Sequence, residues 1–394
     1  MKKIAYIIPN YDDGGMPRVL ESLSLGLNDK YQQYLIVLIK GRDFNFRYNA
    51  KVIEILEEGT SYLDKSWIFF KRIQKIRELK KKEKFDIVLS FGVAANLINV
   101  LSRGQEKVLL SEHNVKSIEN KAWGLYGFFY NFLMKKYYKK ADQIITVSEF
   151  IKEDLITNYS IERKKIVTIY NGFDIDNMIK LSEEKLNIKE KNSYTGSCLI
   201  NIGRLEKQKG QWHLIRIMPY LLKKVVDLNL IILGDGIEKE KLEKLSKKLQ
   251  VEDRVQFVGF KKNPYPYIKE ADIFVFSSIY EGFGNVLIEA MSLGKPVIST
   301  DCKAGPREIL QNKLELDKSI CEMEFADYGI LVPALESDFM KGDIILTKNE
   351  KILADAILKL FYDKEKYKEY SLKAKERALY FSSKNMVENY IKLF

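Results

Sequence analysis

Two carboxylates stand eight residues apart in a stretch whose composition indicates a binding loop rather than an ordinary helix. The stretch is Glu281-Gly-Phe-Gly-Asn-Val-Leu-Ile-Glu289. Its glycines let the backbone approach a ligand closely, and Asn285 is a good N-cap for the apolar helix that should follow. Such a helix start attracts anions. Glu281 on the loop and Glu289 near the first turn would add hydrogen-bond acceptors. The pattern therefore favours a ligand with both phosphates and hydroxyls, as a nucleotide sugar has.

A basic loop lies between a predicted strand and a predicted helix at Asn201-Ile-Gly-Arg-Leu-Glu-Lys-Gln-Lys-Gly210. We expect Arg204 and Lys209 to converge on one anion at the end of the strand. A guanidinium and an ammonium are common partners of a diphosphate. The alternative is two solvated basic side chains in a loop, and the loop taken by itself favours that alternative.

Two glycine pairs also follow predicted strands. Gly234 and Gly236 flank one aspartate, and the turn they form either admits a ligand or only joins a strand to a helix. Gly14 and Gly15 follow the first strand, and their loop N–H groups could reach a phosphate or a sugar. Pro17 suits a first helical position, so this helix should begin at about Pro17.

The chain has two histidines and one Asp-x-Asp triplet. His113 lies just past a predicted strand, where it could belong to a binding site. The alternative is a histidine that is hydrogen-bonded at a domain surface. His213 falls in a helical pattern without chemical partners, and we interpret it as structural. The triplet Asp174-Ile-Asp176 matches a manganese-binding motif, but one match is weak evidence. We interpret it as structural and predict neither a metal nor another cofactor.

Apolar runs alternate with amphipathic stretches over all 394 residues. This alternation indicates parallel βαβ units in an α/β protein, and the length favours two domains. We predict Rossmann-like domains at residues 1–180, with a C-terminal helix at about 378–394, and at residues 181–377. Ligands should bind at the carboxyl ends of the strands. The predicted strands are 4–8, 34–39, 52–56, 87–90, 108–111, 144–147, 166–169, 199–202, 228–233, 255–258, 273–276 and 297–300.

The formal net charge of +11 permits nucleic acid, anionic membrane or phosphorylated ligands as partners. Residues 65–84 are dense in Lys and Arg, and residues 120–140 contain no acid. Aromatic rings on one face and lysines on the other are typical of helices on anionic lipid, although an ordinary buried apolar face would look similar. No nucleic-acid-binding motif accompanies the charge.

No apolar run is long enough to span a membrane. The three cysteines show neither metal nor disulfide spacing, which fits a reducing cytoplasm. We expect a cytoplasmic protein with peripheral contact at the inner membrane.

The carboxylate stretch resembles the E-x7-E signature of the retaining, GT-B-fold enzymes of glycosyltransferase family 4, of the bacterial kind that assembles surface polysaccharides or lipid-linked glycans. The resemblance continues through Pro296-Val-Ile-Ser-Thr-Asp301, Gly305-Pro-Arg-Glu-Ile-Leu310 and Tyr328-Gly-Ile-Leu-Val-Pro333. It covers most of the chain and is most specific over residues 198–333. It implies the GT-B fold, in which two Rossmann-like domains face across a cleft and the last helix returns to the first domain. It also implies sugar transfer from a nucleotide-diphosphate-sugar with retention of configuration.

The resemblance also implies roles for individual residues. Glu281 would accept hydrogen bonds from donor-sugar hydroxyls, and Glu289 would hold the ribose. Arg204 and Lys209, in a G-R-x4-K-G pattern, would hold the diphosphate in place of a metal. His113 would lie beside the transferred sugar. The remaining contacts would come from the backbone of Phe283, Gly284 and Asn285, from the Gly234 turn near the nucleotide, and from the loop of Gly14 and Gly15.

The sequence departs from the family pattern after the double glycine, where relatives usually have a small residue and an acid. Here Met16, Pro17 and Arg18 follow instead, which puts the acceptor-side contacts in doubt. The donor would be a UDP-hexose or a UDP-N-acetylhexosamine. The acceptor would be a lipid-linked or surface-polysaccharide intermediate.

Three other functions are compatible with parts of the pattern. Paired carboxylates also serve glycoside hydrolases, but a hydrolase has no use for a phosphate-binding loop. A GT-B-fold sugar-nucleotide epimerase would not need the E-x7-E turn. A catalytically silent relative that binds membrane or polymer would not need Glu281, Glu289, Arg204 and Lys209 together.

Overall fold

The computed structural model describes residues 1–10, 15–27, 30–39, 47–56, 62–122, 124–187, 191, 194–316, 318–338 and 345–394. The chain divides into two compact units, described here separately. Unit 1 is Met1–Phe173 with Ser383–Phe394, and unit 2 is Asp174–Ser382. The predicted boundary at 180/181 lies seven residues after the first break, and that at 377/378 lies five residues before the second. The first break falls earlier than predicted because the helix Ile175–Leu181 contacts the helices Tyr265–Glu270 and Asn285–Ser292 of unit 2.

Each unit is built on one seven-stranded sheet. The strands of unit 1 are β1 Lys2–Ile8, β2 Tyr31–Val37, β3 Lys51–Glu54, β4 Ile87–Phe91, β5 Lys107–Glu112, β6 Gln143–Thr146 and β7 Ile166–Thr168. Those of unit 2 are β8 Cys198–Ile202, β9 Asn229–Leu233, β10 Val255–Gly259, β11 Ile273–Phe276, β12 Val297–Thr300, β13 Glu324–Phe325 and β14 Ile330–Val332. The twelve predicted strands correspond to β1–β12, whereas β13 and β14 were missed.

Helices connect these strands. In unit 1 they are α1 Gly15–Leu27, α2 Tyr62–Glu83, α3 Val93–Leu101, α4 Lys116–Ala122, α5 Gly124–Tyr137, α6 Glu149–Tyr159 and α15 Ser383–Ile391. In unit 2 they are α7 Ile175–Leu181, α8 Gln211–Leu222, α9 Lys239–Lys248, α10 Tyr265–Glu270, α11 Asn285–Ser292, α12 Pro306–Leu310, α13 Lys348–Tyr362 and α14 Lys364–Tyr380. Within the described ranges, no helix has the length and apolar character that a membrane crossing requires.

The sheet of unit 1 is parallel throughout, in the order β3-β2-β1-β4-β5-β6-β7. Both faces of its central strands are buried, and the last five residues of β1 are inaccessible to solvent. This burial explains why the amino-acid sequences of these strands are continuous apolar runs. The chain reverses its winding direction between β1 and β4. The predicted return of the C-terminal helix is confirmed, because α15 contacts α1 and buries Met386 and Tyr390 in the core of unit 1.

The sheet of unit 2 has the order β10-β9-β8-β11-β12-β14-β13, and only β13 runs antiparallel to its neighbour. Its winding direction reverses between β8 and β11. In doubly wound sheets, ligands bind at the carboxyl ends of the strands beside such a reversal. The loops that follow β8 and β11 are those that carry Arg204, Lys209 and Glu281, so the fold places the predicted residues where this architecture binds ligands.

Candidate active site

The basic loop after β8 and the carboxylate loop after β11 meet at one ion pair. Lys209 Nζ lies 2.5 Å from Glu281 Oε1. The side chains are only 17% and 9% exposed, respectively. Charges that are this far removed from water need a partner. Each of these two predicted residues is therefore held in place by the other, across 72 residues of sequence.

A second set of hydrogen bonds orients Glu281. Ser278 Oγ donates to Glu281 Oε1 at 2.7 Å, and Thr300 Oγ1 at the end of β12 donates to the carbonyl oxygen of Ser278 at 2.7 Å. The backbone N–H of Glu281 donates to the carbonyl oxygen of Lys303 at 3.2 Å. The carboxylate is thus tied to loops that follow three neighbouring strands, β8, β11 and β12.

Backbone contacts hold the two loops together. Ile279 N–H donates to the carbonyl oxygen of Gln208 at 2.8 Å, and Gln208 Nε2 donates to the carbonyl oxygen of Tyr280 at 2.9 Å. Gly210 has a φ of +62°, and a Cβ there would lie 2.3 Å from the carbonyl oxygen of Ser277. A side chain at Gly210 would therefore force the loops apart, which explains the glycine at the end of the basic loop.

The turn at Gly234 packs against the same basic loop. Gly234 has a φ of +138°, and a Cβ there would lie 1.9 Å from the carbonyl oxygen of Gly203. Leu205 N–H donates to the carbonyl oxygen of Asp235 at 2.9 Å. The close backbone approach that the sequence indicates is therefore made to another loop of the chain. A ligand contact by Gly234 stays a prediction.

Arg204 and Lys209 form ion pairs with different carboxylates. Arg204 Nη1 lies 3.0 Å from Glu206 Oε1, and its side chain is 69% exposed, whereas Lys209 is paired with Glu281. The two side chains therefore do not share a partner within the protein, and their binding of one anion stays a prediction. An exposed pair such as Arg204 with Glu206 contributes little stability, so Arg204 can exchange its partner at low cost.

The helix α11 begins at Asn285, the residue predicted as its N-cap, and so starts one residue earlier than expected. Gly284 occupies the N-cap position with a φ of +95°, and Asn285 is the first helical residue. Glycine is favoured here because the backbone is left-handed, which costs other residues energy. Glu289 is the fifth residue of α11 and is buried. It therefore lies in the second turn of the helix rather than at its exposed start.

The segment after β12 packs against the carboxylate loop. Gly305, with a φ of +97°, approaches so closely that a Cβ would lie 1.6 Å from the carbonyl oxygen of Phe283. The Phe283 ring is buried and packs edge-on against Phe381 at 5.5 Å. Arg307 Nε donates to Asp301 Oδ1 at 3.0 Å across this segment. Burial raises the pKa of the Asp301 carboxyl, and Arg307 opposes that shift.

Sequence reasoning assigned no function to Ser278, Thr300 and Gly305, although all three shape the site. Gly305 lies inside one of the stretches that resemble the family, so a signal for it was present. Ser278 stands three residues before Glu281, at a spacing that suits a local hydrogen bond. Thr300 also lies in such a stretch, Pro296–Asp301, but its contact with Ser278 spans 22 residues and could not be foreseen from local spacing.

His113 lies in unit 1, directly after β5. Its Nε2 is 2.9 Å from Ser111 Oγ. Burial, reinforced by the nearby Lys116 ammonium, lowers the pKa of His113 to about 3. Lys116 is itself held 2.9 Å from the buried carboxylate of Glu112. The imidazole is therefore neutral at pH 7, as the predicted role at a sugar hydroxyl requires, and that role stays a prediction.

The double-glycine loop is only partly described. Gly14 lies outside the described residues, and Gly15 is the first residue of α1. The helix thus begins two residues before Pro17, the predicted start, so Pro17 is the third helical residue. Proline is tolerated there because the first-turn N–H groups have no partner within the helix. Binding by either glycine stays a prediction.

The residues interpreted as structural form internal contacts. Asp174 caps α7, and its Oδ1 accepts from Asn177 N–H at 3.1 Å. His213 is fully buried, with Nδ1 2.7 Å from Glu350 Oε1, and Arg216 Nε donates to the same oxygen at 2.7 Å. These contacts lower the pKa of Glu350 to about 2, against the opposing effect of burial. Within the described part of the chain, no group of three or more His, Cys, Asp or Glu side chains is arranged to hold a metal ion.

Two doubly wound units and a Lys–Glu site beside one switch point define an α/β protein suited to a phosphorylated ligand. Two family models match the chain: Glycosyltransferase Family 4 over residues 13–177 and Glycosyl transferases group 1 over residues 181–323. An uncharacterized glycosyltransferase of Methanocaldococcus jannaschii is 35% identical over 352 residues, which cover 86% of each chain. The chain therefore belongs to the GT-B glycosyltransferases.

Two further comparisons cover the whole chain. The N-acetylgalactosamine-N,N'-diacetylbacillosaminyl-diphospho-undecaprenol 4-alpha-N-acetylgalactosaminyltransferase of Campylobacter jejuni is 28% identical, over 100% of this chain and 99% of its own. The solved structure of Anabaena HepE in complex with UDP superposes with a TM-score of 0.73 at 20% identity, and the match covers 100% of this chain and 99% of HepE. At that identity the superposition establishes the fold, and the predicted GT-B class is confirmed.

Proposed function

We propose that this protein transfers a hexose or an N-acetylhexosamine from a UDP-sugar to a hydroxyl of a lipid-linked or surface-polysaccharide acceptor, with retention of anomeric configuration. The observation that carries the proposal is the contact of Lys209 with Glu281 at the carboxyl ends of β8 and β11. The HepE structure, which holds UDP, and the Campylobacter jejuni relative, whose name specifies a diphospho-undecaprenol substrate, support the donor and acceptor classes.

The ion pair is suited to binding a donor by exchange of partners. An arriving diphosphate offers Lys209 a more highly charged partner than Glu281, and Arg204 can leave Glu206 to join it. Glu281 is then free to accept hydrogen bonds from hydroxyls of the sugar, while Ser278 keeps the carboxylate oriented. Positive charges held next to the leaving diphosphate stabilise the negative charge that develops on it.

The transfer itself needs one bond to break and one to form on the same face of the sugar. The bond from the anomeric carbon to the β-phosphate oxygen breaks, and the negative charge on the leaving UDP falls on Arg204 and Lys209. The acceptor oxygen bonds to the anomeric carbon, and its proton passes to the leaving phosphate oxygen. No protein base is assigned to this step.

The remaining predicted residues complete the donor and acceptor contacts. Glu289 would hold the ribose hydroxyls, and the backbone of Phe283, Gly284 and Asn285 would contact the sugar or its phosphate. The neutral His113 would donate or accept at a sugar hydroxyl. Gly14, Gly15 and Gly234 would supply backbone contacts.

The proposal assigns charge neutralisation to Arg204 and Lys209 rather than to a metal ion. It also places the protein at the cytoplasmic face of a membrane, because a lipid-linked acceptor resides there and unit 1 carries basic and aromatic residues on α2 and α5. Transfer should then need no divalent cation, and the membrane contact should be peripheral.

Nucleotide release across a panel of UDP-, GDP- and ADP-sugars tests the proposed function. The purified protein should hydrolyse one UDP-sugar slowly, and the Glu281→Ala variant should not. Release of UDP should rise when membrane lipid extract is added as a source of acceptor. If no donor is bound or hydrolysed even with that extract, the chain is a silent relative and the proposal fails.

A further inference from the structure

The helix α5 exposes aromatic rings that a soluble surface would normally bury. The opposite face of α5 packs into the core of unit 1, where Tyr130 and Met134 are buried. Contiguous exposed apolar surface on a protein marks an interaction site. The exposed rings and their exposed fractions are Tyr126 44%, Phe128 74%, Phe129 51% and Phe132 57%.

The neighbouring helix α2 extends this aromatic surface. Trp67 is 71% exposed and Phe70 is 64% exposed. Phe69, between them, packs into the same core cluster as Tyr130. Lysines also contact the rings, since Lys136 Nζ lies 6.0 Å from the centre of the Phe132 ring. Aromatic rings interleaved with lysines are typical of surfaces that lie at a lipid headgroup layer.

A polar cavity of about 410 Å³ opens beside these rings, between α4, α5 and α6. Phe128 lies at its wall, and Lys121 and Lys135 supply two positive charges. Neither lysine forms an ion pair with any residue in the described ranges of the chain. The other side chains that line the cavity are hydroxyls and amides, from Ser117, Asn120, Asn131, Asn158 and Tyr159.

Asp154 forms no ion pair with either lysine. Its carboxylate accepts from Ser117 N–H at 3.1 Å and from Asn158 Nδ2 at 2.8 Å. Asn120 is 1% exposed, and its Nδ2 donates to Asn131 Oδ1 at 2.7 Å. Lys121 and Lys135 are therefore the charged groups of the cavity wall that remain available to an anionic ligand.

We propose that this cavity binds the phosphate of an anionic phospholipid headgroup, while Phe128, Phe129 and Phe132 enter the interfacial layer of the bilayer. Lys121 and Lys135 neutralise the phosphate. The inference rests on the peripheral membrane contact in the proposed function, and it replaces a diffuse attraction of basic charge by a defined headgroup site on unit 1.

Co-sedimentation of the full chain with vesicles tests the site. The vesicles are phosphatidylcholine alone or phosphatidylcholine with phosphatidylglycerol. The Lys121→Gln/Lys135→Gln variant should bind the anionic vesicles at least about tenfold more weakly than the wild type. The matched control is Lys139→Gln/Lys140→Gln, which removes the same charge from the same acid-free segment outside the cavity. It should lose about twofold.

A second pair of variants tests the aromatic surface. Phe128→Ser/Phe132→Ser should weaken binding to both vesicle types, whereas Leu372→Ser/Leu379→Ser, at two exposed leucines of unit 2, should not. Equal losses from the two lysine pairs would show diffuse attraction and overturn the headgroup site. Thermal stabilisation by inorganic phosphate without any vesicle binding would overturn the lipid assignment. Slow UDP-sugar hydrolysis without vesicles, measured in parallel, reports the transferase function separately, so the two failures are distinguishable.

Discussion

The ammonium of Lys209 lies 2.5 Å from the carboxylate of Glu281, although the two residues belong to loops after different strands. Each charge therefore satisfies the other. In the proposed function, donor binding separates this pair, so that both groups face the ligand.

Removing the ammonium should abolish efficient transfer without unfolding the protein. We expect Lys209→Ala to lower kcat/KM for the UDP-sugar by about 10²-fold or more, because charge on the leaving diphosphate is no longer neutralised. Steady-state kinetics with circular dichroism on the same samples measures this. Lys207→Ala is the matched control, since Lys207 lies in the same 3₁₀ turn but is 60% exposed and pairs loosely with Asp338 at 3.6 Å. Near wild-type turnover of Lys209→Ala would remove Lys209 from the diphosphate site.

The hydroxyl of Ser278 should act as a positioning group for Glu281. We expect Ser278→Ala to lower kcat about tenfold and to change KM little, because the carboxylate is retained but is less well oriented. The control is Ser299→Ala on β12, whose hydroxyl is equally buried and donates to the carbonyl oxygen of Thr300. A kcat loss of similar size in both variants would indicate general destabilisation rather than positioning.

The close approach of Gly305 to Phe283 predicts a severe effect of a single methyl group. Gly305→Ala should destabilise unit 2 and abolish turnover, since the new Cβ would overlap the Phe283 carbonyl. Gly259→Ala separates steric overlap from backbone strain. Gly259 also has a positive φ, of +80°, but no atom lies within 4 Å of its Cβ position. We expect this control to keep most activity. Chemical denaturation of both variants gives the comparison, and equal unfolding midpoints would contradict the steric account.

The neutral state of His113 predicts a pH dependence of stability. Its pKa is lowered from 6.5 to about 3 on folding, so the unfolded chain binds a proton that the folded protein does not. Stability should therefore be fully present above pH 6.5 and should decline as the pH falls toward 3. Urea unfolding at pH 7 and pH 5 should show a smaller decline in His113→Gln than in the wild type. Identical declines would show that His113 does not titrate differently in the two states.

Charge neutralisation by Arg204 and Lys209 predicts that transfer needs no metal ion. The turnover rate of the UDP-sugar should be unchanged in excess EDTA. It should also not increase when manganese or magnesium is added. A loss of activity in EDTA that manganese restores would show that a metal shares the diphosphate charge.

The sequence predicted the two-sheet architecture because buried parallel strands are continuous apolar runs separated by amphipathic helices. It missed β13, whose two residues carry no periodic signal, and also β14, although β7 of the same three-residue length was predicted. Local patterns also identified the glycine turns and both charged loops. They could not show that Lys209 pairs with Glu281 while Arg204 pairs with Glu206, because partner choice depends on how the loops after β8 and β11 pack. The contact of Gly305 with Phe283 is likewise a property of the folded chain.

We propose that donor binding moves the Lys209 ammonium from Glu281 to the diphosphate. A crystal structure of the protein with an intact UDP-sugar tests this most directly. The account predicts Lys209 Nζ within hydrogen-bonding distance of a phosphate oxygen and Glu281 accepting from a sugar hydroxyl, with Ser278 still bonded to the carboxylate. A complex in which Lys209 remains on Glu281 while the diphosphate lies elsewhere would contradict it.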